Sequence, residues 1–200
     1  CAAFVFVMTP GLAMFYGGLV RKKNVVNTMM TSIFIIGVGI VMWVLFGYSL
    51  SFAPSGNAFI GDFRWLGLEG VSLTEGYTDD ASIPNMVFSA FQMMFAVITP
   101  ALITGAVAGR MKFKSIFVFT IFWSLIVYYP LAHMVWGQGG LLGADGIGAL
   151  DFAGGDVVHI SSGVSALVLC ILLGKRHDYE HSIYRIHNIP TVVLGASLLM

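Results

Sequence analysis

Five stretches of this chain are each apolar for close to the length that crosses a bilayer, and no other feature constrains its fold as much. They run from Cys1 to Val20, Val25 to Phe52, Met86 to Ala108, Ser115 to Trp136 and Val157 to Gly174, and a sixth begins near Ile189. A spanning helix needs roughly 20 mostly apolar residues, because the hydrocarbon core is about 30 Å thick and a helix rises about 1.5 Å per residue. Lipid offers no partner to a bare amide, so each segment must satisfy its own backbone, which a helix does. Only 10% of the 200 residues are charged and 58% are hydrophobic, where a soluble domain carries about 25% charged residues. The expectation is an all-α polytopic membrane protein, one transmembrane domain over residues 1–200. Prolines 10, 100 and 130 fall inside spans, where neighbouring helices can satisfy the freed carbonyls. Twenty-four glycines point to close helix packing, with "GAVAG" at 105–109 matching a small-residue contact motif.

Charge fixes an orientation. "RKK" (Arg21 to Lys23), "RMKFK" (Arg110 to Lys114) and "KRHDYEHSIYR" (Lys175 to Arg185) follow spans one, three and five, and hold all lysines and arginines except Arg64. The positive-inside rule puts these loops in the cytoplasm. The N-terminus and the loops 53–84 and 137–156 are then outside. Ten basic and ten acidic residues cancel, so no general attraction to nucleic acid or acidic lipid follows. Cys1 and Cys170 lie far apart in apolar sequence, which argues against a disulfide framework or metal cluster. No basic region precedes the first apolar run, so no signal peptide is read. The run cut at Met200 reads as the end of an N-terminal piece of a longer chain. The long 53–84 loop, with five carboxylates, reads as a solvated cap or as a weak lure for cations.

Polar residues inside the spans carry the functional questions. His159 sits two residues into the fifth span, and an ionisable group there by default marks a pathway or a relay. On an α-helical wheel it shares a face with Gly155, Ser162, Gly163 and Ala166. Its imidazole suits a proton relay or a weakly polar lining, and equally a single hydrogen bond between helices. Asp151, in "DFAGG", reads as the cap of the turn into that span, with a cation-binding mouth as the second reading. Phe91 and Phe95 lie four apart on the third span, and Trp136 closes the fourth. They read as core and interfacial aromatics, or as a cage that holds a small cation by cation–π attraction. His133 reads as an interfacial residue. "HDYEH", with His177 and His181 four apart, has metal-ligand spacing but lacks the HExxH arrangement. No phosphate loop and no GxSxG is present, so an enzyme is not expected, nor a cofactor.

Long segments carry a resemblance. "DFAGGDVVHISSGVSALVLCILLGKR" (151–176), "TPGLAMFYGGLVRKKNVVN" (9–27), "ITGAVAGRMKF" (103–113) and "YYPLAHMVWGQGGLL" (128–142) resemble the ammonium transporter family (Amt/Mep/Rh). Trp136 is similar to an outer-mouth tryptophan of the Amt/Mep branch that Rh proteins lack. The resemblance implies an eleven-helix fold built from two inverted five-helix repeats, of which this chain supplies the first plus the start of a sixth helix. It implies a homotrimer of independent pores in the cell membrane, with no enzymatic step. Trp136, Phe91 and Phe95 match an outer ammonium-recruitment site, Phe95 also matching a gate phenylalanine. Asp151 matches a supporting aspartate near that site, and His159 the first of two pore-lining histidines. The second histidine, the partner gate phenylalanine and the recruitment serine would lie beyond Met200. The turn between Trp136 and Asp151 is longer than the family's. The implied function is transport of ammonium or ammonia, with methylammonium as an analogue and a PII-type regulator on the cytoplasmic face. An ammonium sensor is the alternative.

Overall fold

The computed structural model describes residues 1–54, 57–144, 146–176, 179 and 185–200. His177 and His181 lie outside the described residues. Among the described residues, five helices are long and apolar enough to cross a membrane: α1 (Ala2–Leu19), α2 (Lys22–Phe52), α3 (Asn85–Val107), α4 (Phe113–Trp136) and α5 (Gly155–Leu173). The shorter α6 (Ile189–Leu199) follows. The architecture is therefore the all-helical one that the apolar runs predict. Each boundary falls within two residues of the apolar run, except that α2 begins three residues early with a 3₁₀ turn at Lys22–Asn24.

α3 is the central element, packed on α1, α2 and α5, while α1 also packs on α2 and α6. Half of its apolar window is buried (50%), against 22% for α5, which leaves α5 with a broad open face. Two apolar cores divide the helices lengthwise. One, near the basic loops, gathers Leu12, Ile35, Ile98, Val107 and Ile116. The other, near the 53–84 loop, gathers Trp43, Tyr48, Phe52, Tyr128, Tyr129 and Val157. Polar side chains in the spans are satisfied locally or between helices. Thr31, Thr99 and Ser165 donate to the carbonyls four residues back, and Trp123 Nε1 donates to Ser165 Oγ at 2.8 Å, joining α4 to α5.

Among the described residues, wide π turns interrupt three helices. The one at Ser124–Tyr128 in α4 precedes Pro130, which has no N–H to give the Ile126 carbonyl. A second, at Trp43–Gly47 in α2, contains no proline; Gly47 there lets the Tyr129 ring approach, and a Cβ would stand 2.7 Å from it. The third opens α5 at Gly155–Ile160.

At the basic end, two arginines cross-cap the helices. Arg110, after α3, donates to the Gly174 carbonyl of α5 at 2.8 Å, and Arg176, after α5, donates to the Ala108 carbonyl at 3.0 Å. Cations are favoured at helix C-termini, where carbonyls lack partners. "GAVAG" divides between two jobs. Gly105 packs within α3 against Tyr16 of α1, whose hydroxyl donates to Leu102 O at 2.8 Å. Gly109 lies past the helix end at φ +71°, so it terminates α3 rather than packing it.

The tightest helix contact joins α1 to α6. A Cβ on Gly195 would stand 2.3 Å from Phe15 N and 2.6 Å from Gly11 O. Both are backbone atoms, and they yield only if the helices separate. Gly195→Ala is expected to cost about 1–3 kcal/mol, the usual range for overpacking. Gly37→Ala, inside a helix with nothing within 4 Å, carries only the helix-propensity gain of about 0.5–1 kcal/mol and serves as the control; thermal unfolding in detergent compares the two.

Candidate functional site

At the end of the bundle that carries the 53–84 loop, α3, the end of α4 and the turn into α5 enclose a cavity of about 500 Å³. Phe91 and Phe95 line it from successive turns of α3, with ring centroids 5.0 Å apart at 84°. Trp136, the last residue of α4, meets Phe95 edge-on at 6.4 Å. Three rings thus border one space. The Trp136 indole N–H donates to the Asp151 carbonyl at 2.8 Å, so its polar edge is engaged and the ring is held at a fixed angle.

Asp151 shapes the third wall. Its carboxylate accepts from Gly155 N at 2.7 Å and from Asp156 N and Val157 N at 2.9 Å each. These are the first amides of α5, which no intrahelical carbonyl can reach. The carboxylate therefore caps the helix, as the "DFAGG" pattern predicts, and its negative charge meets the positive end of the helix dipole. Gly154 takes φ +82°, a left-handed conformation that favours glycine, and its carbonyl accepts from Val158 N and His159 N.

The 53–84 loop is more than a solvated cap. Trp65 stacks on the buried Tyr48 at 5.4 Å, and Tyr77 stacks on Phe88 at 4.8 Å. Tyr77 then pairs with Gln138 beside the cavity. Gln138 N donates to the Tyr77 hydroxyl at 3.2 Å, and its side-chain amide donates to Tyr77 O at 3.1 Å. Burial pushes the Tyr77 phenol up to about 12, so it stays neutral at physiological pH. Asp62 is held below the usual carboxylate range by its hydrogen bond from Arg64, a 2.7 Å contact.

His133 departs from the sequence expectation. It is fully buried, 0% exposed, with Nδ1 3.2 Å from Ser51 O and Nε2 3.0 Å from Asn57 O. It fastens α4, one turn before Trp136, to the end of α2 and to the long loop. Its partners are 82 and 76 residues away in sequence, a distance no local pattern reports.

Residues 1–200 match, from end to end, the family model described as Ammonium Transporter Family. The chain belongs to that family. It is 52% identical over 199 residues to an ammonium transporter of Bacillus subtilis, covering 100% of this chain and 48% of the relative. It is 40% identical over 197 residues to ammonium transporter Amt1 of Archaeoglobus fulgidus, covering 98% of this chain and 47% of that protein. The crystal structure of Candida albicans Mep2 superposes with a TM-score of 0.85 at 34% identity, over 99% of this chain and 44% of that one. A structure described as a sensor Amt protein superposes at 0.82 with 27% identity, over 99% and 49%. The chain thus spans about half the length of the relatives it matches.

Of the residues that the family resemblance singles out, Phe91, Phe95, Trp136 and Asp151 come together around the cavity. His159 does not line it. It stands further along α5 and is exposed on that helix's open face. The π turn shifts the wheel. Gly163 shares the open face with His159, whereas Ser162 is buried and donates to Val158 O at 2.6 Å. Gln92, Tyr77 and Gln138 also line the cavity. Gln92, between the two phenylalanines, is the one of these that the sequence could have flagged, as a polar residue inside a span.

Proposed function

We propose that the intact protein is a multi-pass transporter of ammonium or ammonia in the cell membrane. In this reading it works as a homotrimer, with its N-terminus outside and the basic loops facing the cytoplasm. The observation that carries the reading is the aromatic cavity, in which Phe91, Phe95 and Trp136 border one space and the indole N–H is already engaged. Ring faces without a competing donor attract a small cation, each worth about 0.5–2 kcal/mol. The names of the curated relatives supply the substrate.

Aromatic rings alone separate ammonium poorly from potassium, since both are monovalent. Moving either ion bare through an apolar passage costs tens of kcal/mol by Born solvation. Ammonium escapes this by leaving a proton behind, and potassium has none to give. In the proposed sequence the rings collect the cation, Phe95 gates the way inward, and the proton departs near the gate. Neutral ammonia then passes His159, whose imidazole offers one donor and one acceptor without a permanent charge. Asp151 supports the site by fixing the turn that holds Trp136. The bilayer is the protein's other partner, and a PII-type regulator would dock on the basic cytoplasmic face. No step of this scheme makes or breaks a covalent bond other than N–H, so the protein is read as a transporter and not an enzyme.

The test is transport by the intact protein in proteoliposomes, with current and interior pH recorded after an ammonium jump and a potassium jump. Ammonium-driven signals that potassium does not reproduce are expected. Trp136→Leu should weaken apparent affinity about 2- to 30-fold, the value of one cation–π contact. The likeness to a sensor Amt protein favours one second reading, ammonium sensing. Folded protein that binds ammonium but carries no flux beyond empty liposomes would move sensing to first place.

A further inference from the structure

Several polar groups of the cavity are already engaged. The Asp151 carboxylate is occupied by three amides, the Trp136 N–H by Asp151 O, and Tyr77 and Gln138 by each other. Gln92 is different. Its Oε1 is buried and has no hydrogen-bond partner. Among the described residues, the other buried side-chain atoms in that condition belong to Thr28, Ser51 and Arg110, none of which lines this cavity. An amide oxygen left without a donor costs free energy in any apolar setting, and such an atom in a native protein calls for a reason.

We infer that Gln92 is a further substrate-binding residue, whose side-chain carbonyl accepts a hydrogen bond from an N–H of the cation held by Phe91, Phe95 and Trp136. The inference rests on the cavity being the cation's entry, as proposed above. Gln92 follows Phe91 directly and precedes Phe95 by three residues on α3, so its amide belongs to the same wall as the rings. The terminal amide turns about a broad, roughly two-fold torsion, which lets the oxygen swing to the cavity when a donor arrives.

The chemistry favours ammonium over potassium. A cation with N–H donors gains a directional, charge-assisted bond from a single neutral oxygen. Potassium needs a ring of oxygens to replace its hydration shell, as carbonyl filters provide, and one carbonyl beside three rings cannot do so. A neutral acceptor also avoids the drawback of a carboxylate at this position, which would hold any monovalent cation and release it slowly.

The experiment measures ammonium KM and maximal current for the intact protein and for Gln92→Leu, Gln92→Glu and Trp136→Leu in proteoliposomes. Gln92→Leu keeps the bulk and removes the acceptor; it should raise KM about 10- to 150-fold, the value of a hydrogen bond to a charged group, with maximal current changed far less. Gln92→Glu keeps an oxygen and should return KM to the wild-type value or below. An unchanged KM in Gln92→Leu, or a Gln92→Glu variant no better than the leucine variant, overturns the role, the second outcome because it would show that the side chain serves only packing. Trp136→Leu separates the two claims. If its KM rises while that of Gln92→Leu does not, Gln92 alone is wrong. If neither KM moves, the cavity is not the entry and the reading beneath the inference falls with it.

Discussion

His159→Asp is expected to abolish ammonia conduction or to change what the pore passes, because it puts a carboxylate on a spanning helix where the neutral species must pass. The imidazole it replaces stands on the open face of α5, beside Gly163 and among Val164 and Leu167, all exposed. A carboxylate there would bind the cation or recruit water, and either change ends passage of the neutral species. His159→Ala is the milder companion. Loss of one neutral hydrogen bond is worth about 0.5–1.5 kcal/mol, hence about a 2- to 10-fold fall in flux. Recording interior pH and current together divides the two jobs that an imidazole can do. If current falls while alkalinisation by ammonia persists, the ring relays the proton; if both fall in proportion, it lines the path. Unchanged methylammonium uptake in His159→Asp would take His159 out of the pathway altogether.

What could be read in advance divides by the range of the interaction. Spanning helices follow from apolar length, because lipid leaves the backbone no other choice, and the five long helices sit on the apolar runs. Asp151 was legible for the same reason of locality: its three partners lie four to six residues ahead. His133 was not legible, since its two carbonyl partners come from α2 and the long loop. The 53–84 loop looked solvated because its carboxylates dominate the pattern, yet Trp65 and Tyr77 anchor it by stacking on helices. The wheel placed Ser162 beside His159 because it assumed 3.6 residues per turn. A π turn at 155–160 has more, so the phase slips and Ser162 rotates into the packing.

Asp151→Ala should loosen the turn that builds the third wall of the site. Three amides at 2.7–2.9 Å lose their acceptor at once, two of them partly buried and that of Gly155 exposed. Loss of a helix cap costs about 0.5–2 kcal/mol, and three charge-assisted bonds, two of them partly buried, put this one at the upper end, so a total of about 2 kcal/mol is expected. Asp151→Asn keeps one oxygen but turns an N–H₂ toward amides that need an acceptor, so it should fall between wild type and alanine. The same series decides how the aspartate serves the cation. Trp136 is held by the backbone carbonyl of residue 151, so loosening the turn frees the indole. Apparent affinity for ammonium should then decline in step with thermal stability, wild type above asparagine above alanine. A carboxylate that touched the cation would behave differently: neutral asparagine would bind as poorly as alanine while remaining the more stable of the two. Measuring unfolding temperature and KM on the same three proteins distinguishes a residue that positions the site from one that binds its ligand. The carboxylate, with both oxygens engaged by the α5 amides, argues for positioning.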